Sequence, residues 1–167
     1  ARYVSGAEED IIEAMEWLGI PFNESTENPG EVGPYRQSER KEIYKEYADR
    51  LIASGHAYYA FDSSEKLDVQ RKEHETNGET FIYNWHNRLS LENSLALSKE
   101  NVQEKLDAGA PYVIRFKTPQ DETLQLQDII RGAMQIDTNV LDDKVLFKSD
   151  GMPTYHLANI VDDHLMN

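Results

Sequence analysis

The sequence contains no cysteine among its 167 residues. Disulfide bridges, thiolate metal sites and cysteine nucleophiles are therefore excluded, and with them the class of small secreted proteins stapled by disulfides. A chain without cysteine is compatible with a reducing compartment. We accordingly expect a cytoplasmic protein.

Long apolar runs are also missing. No stretch approaches the roughly 18 consecutive apolar residues that a membrane-spanning helix needs. The first residues, ARYVSGAEED, lack both an initiating Met and the basic-then-apolar pattern of a secretory signal. We expect no membrane segment and no signal peptide, and the sequence is interpreted as a piece cut from a longer protein.

Positive charge is scarce, because 17 Lys and Arg face 31 Asp and Glu, for a formal net charge of −14. Such a balance repels a polyanion at long range. A local cluster of arginines can still bind phosphate while the rest of the surface stays acidic. The charge total therefore leaves nucleic-acid binding open.

Two amphipathic helices are predicted in the first third of the chain. A capping-box pattern at Ser5 predicts the start of the first helix, and Gly19 its end. Ser38 is predicted to cap the second helix, which Gly55 ends. Residues 23–34 are turn formers and acids without periodicity, which indicates a surface loop.

The middle of the chain alternates helical and strand patterns. Further helices are predicted at 63–78 and 98–108, and strands at 56–61, 111–117, 123–127 and 144–148. The strand PYVIRFK should be half buried with basic residues on one face, and Gly132 within DIIRGAMQID suggests a bulge. This mixture predicts an α/β fold with an inserted α+β module.

The stretch PTYHLANIVDDHLM predicts a final helix that starts at Pro153. Helical geometry groups its side chains into two opposite stripes. One is polar and comprises Tyr155, Asn159, Asp162 and Met166. The other should face the core and comprises Leu157, Ile160, Val161 and His164.

The polar stripe has two interpretations. A phenol and a carboxamide four residues apart, Tyr155 and Asn159, offer donors and acceptors to one small polar ligand. The same stripe is equally compatible with a helix face that only meets water. Periodicity alone does not decide between them.

The residue pattern of the final helix does not favour a catalytic site or a metal site. His156 and His164 point to different sides of the helix, so a metallohydrolase site built from them with Asp162 and Asp163 fails on geometry. Neighbouring carboxylates such as Asp162 and Asp163 usually point in different directions, and no nucleophile motif is present. We therefore assign no catalytic residue and no metal ligand.

Several segments resemble one known family. SDGMPTYHLANIVDDHLM at 149–166 closely resembles a segment of glutamyl-tRNA synthetases, which are class I aminoacyl-tRNA synthetases. GPYRQSERKEIYKEYADRLIASGHAYYAF at 33–61 and RYVSGAEEDIIEAMEWLGI at 2–20 are similar to two other segments of that family. YVIRF and DIIRG match its inserted acceptor-stem module. The matches span nearly the whole chain, in order, as a central fragment of the catalytic region.

The resemblance implies that the parent enzyme charges tRNA(Glu) with L-glutamate in an ATP-dependent reaction, through a glutamyl-adenylate. It also implies a partial Rossmann-like fold for this chain. The parent enzyme would use ATP and magnesium as cofactors and would be a monomer. Tyr155 and Asn159 would line the glutamate pocket. The residues that fall where the family uses arginines near the tRNA are Arg2, Arg71, Arg115 and Arg131. The implied division is a first catalytic segment at 1–61, an inserted module at 62–143 and a second catalytic segment at 144–167.

The sequence lacks some cysteines and motifs that are found in this family, and these differences lead to further expectations. Some members hold zinc through cysteines whose counterparts here read AYYAFD and IYNWHNRL, so no zinc is expected. The HIGH-type and KMSKS-type motifs do not occur in the sequence, so the chain should be inactive alone. Alternatives are a glutamyl-queuosine tRNA synthetase, which the long insertion disfavours, and a non-enzymatic RNA-binding module. A glutaminyl-tRNA synthetase is disfavoured by HLANIVDDHLM.

Overall fold

The computed structural model describes residues 4–166, and the chain divides into two compact units near Arg40. The first unit contains one α-helix, α1 (Ala7–Trp17), and a short 3-10 turn at Gln37–Glu39. The loop between them is tied to α1 by Arg36, whose Nη2 lies 2.8 Å from the Glu8 carboxylate. Thr26 donates a hydrogen bond to the same carboxylate.

Two predicted helix starts in this part of the chain are wrong. Helix α1 begins after Gly6, which adopts a left-handed φ of 84° as the cap residue, and no side chain caps the helix. Gly tolerates this conformation without steric cost, so the backbone turn replaces the capping box predicted at Ser5. Ser38 lies in the 3-10 turn, and the next α-helix starts at Lys41.

In the described residues, the larger unit contains four α-helices and five strands. The helices are α2 (Lys41–Ala53), α3 (Ser64–Thr76), α4 (Lys99–Asp107) and α5 (Tyr155–Met166). The strands are β1 (Ala57–Ala60), β2 (Val113–Phe116), β3 (Thr123–Asp128), β4 (Gly132–Asp137) and β5 (Val145–Phe147). Ser63 and Ser98 cap α3 and α4 through their side chains, because a serine oxygen satisfies a free N–H of the first turn.

Strands β1, β2 and β5 form an antiparallel sheet in the order β1-β2-β5, while β3 and β4 form a separate hairpin. The core lies between the sheet and helices α2 and α5. Its fully or nearly buried members are Tyr44, Ala48, Ala57, Ile114, Leu146, Phe147, Leu157, Ala158 and Val161. A second cluster is centred on Tyr58, Ala60, Leu67 and Tyr83.

Helix α5 differs from its predicted form in two respects. It starts at Tyr155, because Pro153 pairs with Phe147 in an isolated bridge and remains extended. Its buried face contains Ala158, whereas Ile160 is 63% exposed and His164 is exposed. The small Ala158 side chain allows close helix packing, so the buried stripe is rotated from the predicted one.

Two strand predictions also need correction. Gly132, predicted as a bulge, instead follows the tight turn that joins β3 to β4, with a φ of 75°. Strand β2 was expected to keep its basic face solvated, but Ile114 and Arg115 are both buried. The second cluster covers the side of the sheet on which Arg115 lies, so both faces of β2 are covered.

Candidate functional site

Only part of the predicted polar stripe of α5, Tyr155 with Asn159, faces outward, and the helix starts from a firmly held end. Thr154 Oγ1 donates a 2.7 Å hydrogen bond to the Val145 carbonyl, and Thr154 N donates one of 2.7 Å to the Leu146 carbonyl. Strand β5 therefore anchors the residue that precedes α5. Leu157, Ala158 and Val161 bury the opposite face of the helix.

On the outward face, Tyr155 and Asn159 are neighbours. Asn159 Nδ2 donates a 3.3 Å hydrogen bond to the Tyr155 hydroxyl. Tyr155 is 72% exposed, and Asn159 is half buried. The phenol and the carboxamide therefore present adjacent hydrogen-bonding groups on one accessible surface, as a small polar ligand requires.

Asp162, the next member of the stripe, is directed into the protein. Its carboxylate accepts a hydrogen bond from the buried Tyr44 hydroxyl of α2, with oxygen distances of 2.8 and 3.0 Å. Asp163 is exposed on the neighbouring side of α5. The adjacent carboxylates thus point apart, as their spacing predicted.

The predicted tRNA-contacting arginines lie in different environments. Arg71 is exposed on α3 and forms an ion pair with Asp68. Arg131 is exposed in the turn between β3 and β4. Arg2 lies outside the described residues. These positions leave Arg71 and Arg131 accessible to a partner.

Arg115 is buried in the second cluster, with 9% exposure. Its Nη1 donates a 2.8 Å hydrogen bond to the Asp143 carbonyl, and its guanidinium lies 3.9 Å from the ring centroid of Tyr83. Contact of a cation with an aromatic face is attractive. These contacts favour a structural role for Arg115 over a contact with phosphate.

The β3–β4 turn is held by hydrogen bonds to a single carboxylate, that of Asp128. Asp128 Oδ1 accepts hydrogen bonds from the backbone N–H groups of Arg131 and Ile130, at 2.7 and 2.8 Å. These bonds hold the pKa of the Asp128 carboxyl below its usual range. Ile129 and Ile130 are almost fully exposed, so the turn presents two apolar side chains beside a cation.

Sequence reasoning missed a buried polar network in the second cluster. Asp143 is completely buried and interacts with Tyr58, Arg88 and Thr118. Burial, followed by the hydrogen bond to Asp143, raises the pKa of Tyr58 far above its ordinary value. Charged residues are almost never fully buried unless they are paired, but nothing in the local pattern distinguishes Asp143 from the exposed carboxylates around it.

The segments AYYAFD (57–62) and IYNWHNRL (82–89), for which no zinc is expected, are joined through Tyr83. The Tyr83 hydroxyl donates to Asp62 Oδ2 at 3.0 Å and accepts from Asn93 Nδ2 at 3.0 Å. Burial raises the pKa of Tyr83, which keeps this hydroxyl protonated. Within residues 4–166, no group of three or more His, Asp or Glu side chains is arranged to hold a metal ion.

A family model described as "tRNA synthetases class I (E and Q), catalytic domain" matches residues 1–167. The chain belongs to this family. The class I family uses ATP, and the α/β fold and the family resemblance predicted from the sequence are both confirmed. No helix in the described part of the chain is long and apolar enough to cross a membrane.

Comparisons with individual proteins agree with this family. The chain is 70% identical over 165 residues to a glutamate-tRNA ligase of Christiangramia forsetii and 63% identical to that of Flavobacterium johnsoniae, covering 99% of this chain and 33% of each relative. The crystal structure of a glutamate tRNA ligase from Elizabethkingia meningosepticum, in complex with its amino acid, matches with a TM-score of 0.95 and 52% identity. The chain thus spans about a third of the length of these relatives.

Proposed function

We propose that the full-length protein containing this chain is a glutamate-tRNA ligase, which forms glutamyl-adenylate from L-glutamate and ATP and transfers the glutamate to tRNA(Glu). Relatives with 70% and 63% identity carry this name. Within the chain, the observation that supports the proposal most directly is the hydrogen-bonded pair of Tyr155 and Asn159 on the accessible face of a helix whose opposite face is buried.

The Tyr155 and Asn159 pair suits an amino acid as ligand. A phenol can donate or accept one hydrogen bond, and a carboxamide offers both a donor and an acceptor. The charged groups of glutamate form the stronger, charge-assisted hydrogen bonds with such partners. Because the backbone before Tyr155 is bonded to β5, little reorganisation would be needed when the ligand binds.

The acceptor arm of the tRNA is the second proposed ligand. Arg71 and Arg131 are exposed and could neutralise phosphates, while Arg2 is proposed from the family resemblance alone. Arg115 is not retained in this role because its guanidinium is buried against Tyr83. The acidic net charge is compatible with a few local phosphate contacts.

We also propose the division into segments 1–61, 62–143 and 144–167. The three-stranded sheet draws β1 from the first segment, β2 from the second and β5 from the third, which would join the module firmly to the catalytic fold. ATP and Mg²⁺ would be held by motifs that this sequence does not contain, so the chain alone should be inactive. The full-length enzyme is proposed to be a cytoplasmic monomer.

The test uses the full-length enzyme and ATP–pyrophosphate exchange in the presence of tRNA(Glu). Tyr155→Phe and Asn159→Ala should each raise the KM for glutamate by about 10-fold or more, since a hydrogen bond to a charged group contributes roughly 1.5–3 kcal/mol. The KM for ATP should stay unchanged. Ile160→Ala, an exposed position on another side of α5, is the matched control.

The outcomes separate the two interpretations of the stripe. A glutamate-specific rise in KM for both variants supports the pocket. Unchanged constants for both variants would mean that Tyr155 and Asn159 only meet solvent. An enzyme that shows no glutamate-dependent exchange at all, with its fold intact by circular dichroism, would contradict the proposed activity.

A further inference from the structure

The β3–β4 hairpin receives little support from the rest of the protein along its length. All six residues of β3 are exposed, and in β4 only alternate residues are half buried. The turn at its far end carries Ile129, Ile130 and Arg131. Since the strands are so exposed, the direction of the hairpin must be determined mainly at its base.

The base of the hairpin is closed by reciprocal polar contacts. Thr138 N donates to the Glu122 carbonyl at 3.0 Å, and Glu122 N donates to Thr138 Oγ1 at 3.1 Å. Next to them, Asn139 Nδ2 donates to Asp121 Oδ1 at 3.0 Å, and Asp121 N donates to Asn139 Oδ1 at 3.1 Å. The two strands therefore leave the base as one unit.

Asp143 connects this unit to the core. The chain enters the hairpin after Thr118, whose N–H donates a 3.1 Å hydrogen bond to Asp143 Oδ1. Oδ2 of Asp143 accepts from the Tyr58 hydroxyl of β1 at 2.6 Å and lies 3.2 Å from Arg88 Nη1. Arg88 Nη1 also donates to the Thr118 carbonyl at 3.2 Å. One buried carboxylate thus joins the segment that enters the hairpin, strand β1 and the 3-10 turn at Arg88–Ser90.

The backbone of Asp143 is held as well, on the exit side of the hairpin. Its N–H donates to the Tyr83 carbonyl at 2.7 Å, and its carbonyl accepts from Arg115 Nη1 at 2.8 Å. Hydrogen bonds from several directions resist rotation, whereas apolar contacts alone can slide. Both chain segments that carry the hairpin are therefore oriented through Asp143.

Small rotations at the base become large displacements at the turn. Six paired residues at about 3.4 Å each make a hairpin of about 20 Å. A rotation of roughly 10° over that length moves the turn by about 3.5 Å. Such a shift exceeds the tolerance of a hydrogen bond between Arg131 and a phosphate, which needs about 2.7–2.9 Å.

We propose that Asp143 is a positioning residue for tRNA binding: the buried contacts of its carboxylate with Tyr58, Arg88 and Thr118 set the direction of the β3–β4 hairpin and thereby place Arg131 against the acceptor arm. The inference rests on the proposed ligase function. It adds a residue that does not touch the tRNA and acts only through the hairpin.

The experiment measures aminoacylation by the full-length enzyme with Asp143→Asn and Tyr58→Phe. Asn keeps the size of the side chain but loses its charge and one acceptor, and Phe removes only the hydroxyl. The KM for tRNA(Glu) should rise by about 10-fold for Asp143→Asn and about 3-fold for Tyr58→Phe, within the range of mutational coupling between sites. The KM for ATP and the KM for glutamate should remain unchanged.

The control variant is Tyr59→Phe. Tyr59 is the next residue of β1, and adjacent side chains of a strand point to opposite faces, so its ring packs against Tyr112 instead. This variant should keep the wild-type KM for tRNA. If Asp143→Asn fails to fold, Tyr58→Phe and Tyr59→Phe decide the outcome, and equal constants for these two would overturn the proposal.

A double-mutant cycle with Arg131→Ala separates positioning from general loss of stability. If Asp143 acts through Arg131, adding Asp143→Asn to Arg131→Ala should raise the KM for tRNA much less than it does in the wild type. Full additivity of the two effects would overturn the proposed coupling. If Arg131→Ala alone leaves tRNA binding unchanged, the proposed contact of Arg131 with tRNA is wrong. If Arg131→Ala weakens tRNA binding and Asp143→Asn does not, only the positioning role of Asp143 is wrong.

Discussion

Tyr44 and Asp162, which are 118 residues apart in the chain, join helices α2 and α5 through a hydrogen bond with a shortest distance of 2.8 Å. Tyr44 belongs to α2 and is completely buried, and Asp162 belongs to the polar stripe of α5. The residues between them include the whole proposed tRNA-binding module. A residue that precedes this module is therefore bonded to the helix that carries the proposed glutamate pocket.

Removing the Tyr44 hydroxyl should weaken glutamate binding without loss of the fold. Tyr44→Phe keeps the buried ring but takes one hydrogen bond from Asp162, so we expect the free energy of unfolding to fall by about 1 kcal/mol. Greater freedom of α5 should raise the KM for glutamate about 3-fold and leave the KM for tRNA unchanged. Tyr47→Phe, one turn along α2, is the control for loss of a phenol. Wild-type glutamate kinetics in Tyr44→Phe would show that the bond does not orient the pocket.

Arg71 and Arg131 should contribute to the salt dependence of tRNA binding. Each phosphate contact that is removed reduces the slope of log affinity against log salt by about 0.7–0.9. We expect Arg131→Ala and Arg71→Ala each to show such a reduction in filter-binding titrations at several salt concentrations. Arg50→Ala is a control, because Arg50 is exposed on α2 and forms an ion pair with Glu46. Slopes equal to that of the wild type would remove both arginines from the interface.

Arg115 should affect stability more than Arg71 does. Arg115→Ala removes a buried cation from the Tyr83 ring and from the Asp143 carbonyl, and we expect a loss of about 2–4 kcal/mol in urea unfolding. Arg71→Ala removes an exposed ion pair and should change the free energy of unfolding by less than about 0.5 kcal/mol. Comparable stability of the two variants would contradict the structural role of Arg115.

Most elements could be predicted from the sequence because their signals are local. Helices α3 and α4 form within the ranges predicted at 63–78 and 98–108, and the alternation in TLQLQ indicates β3. Local signals failed where distant residues decide the outcome. Arg115 has the alternation of a solvated residue, and its burial depends on Tyr83, which lies in a separate part of the chain.

In the candidate site too, contacts within one helix could be predicted from the sequence, whereas contacts between distant elements could not. The helical spacing of Tyr155 and Asn159 was sufficient to predict that their side chains are neighbours. It could not reveal that Asp162 bonds to Tyr44, or that Asp143 is buried while Asp142 pairs with Lys144 on the surface. Such pairings depend on the three-dimensional packing of elements that are far apart in sequence.

The stability of the larger unit should depend on acid pH through Glu92. Its carboxylate lies 2.6 Å from Lys105 Nζ and 2.6 Å from Lys66 Nζ. These contacts, that with Lys105 first, lower the pKa of the Glu92 carboxyl below the ordinary value of 4.5. The unfolded chain therefore takes up a proton at higher pH than the folded chain, so this contribution is present above pH 4.5 and is lost as the pH falls through the folded pKa.

Glu92→Gln should therefore destabilise the protein only where Glu92 is ionised. At pH 7 we expect a loss of about 1 kcal/mol or less, because the pairs are partly exposed. Urea unfolding at a series of pH values should show the curves of wild type and Glu92→Gln converging below pH 4.5. Glu104→Gln, an exposed carboxylate of α4, is the control and should follow the wild type throughout. A difference between wild type and Glu92→Gln that stays constant down to the acid limit would mean that packing, and not the ion pairs with Lys66 and Lys105, accounts for the effect.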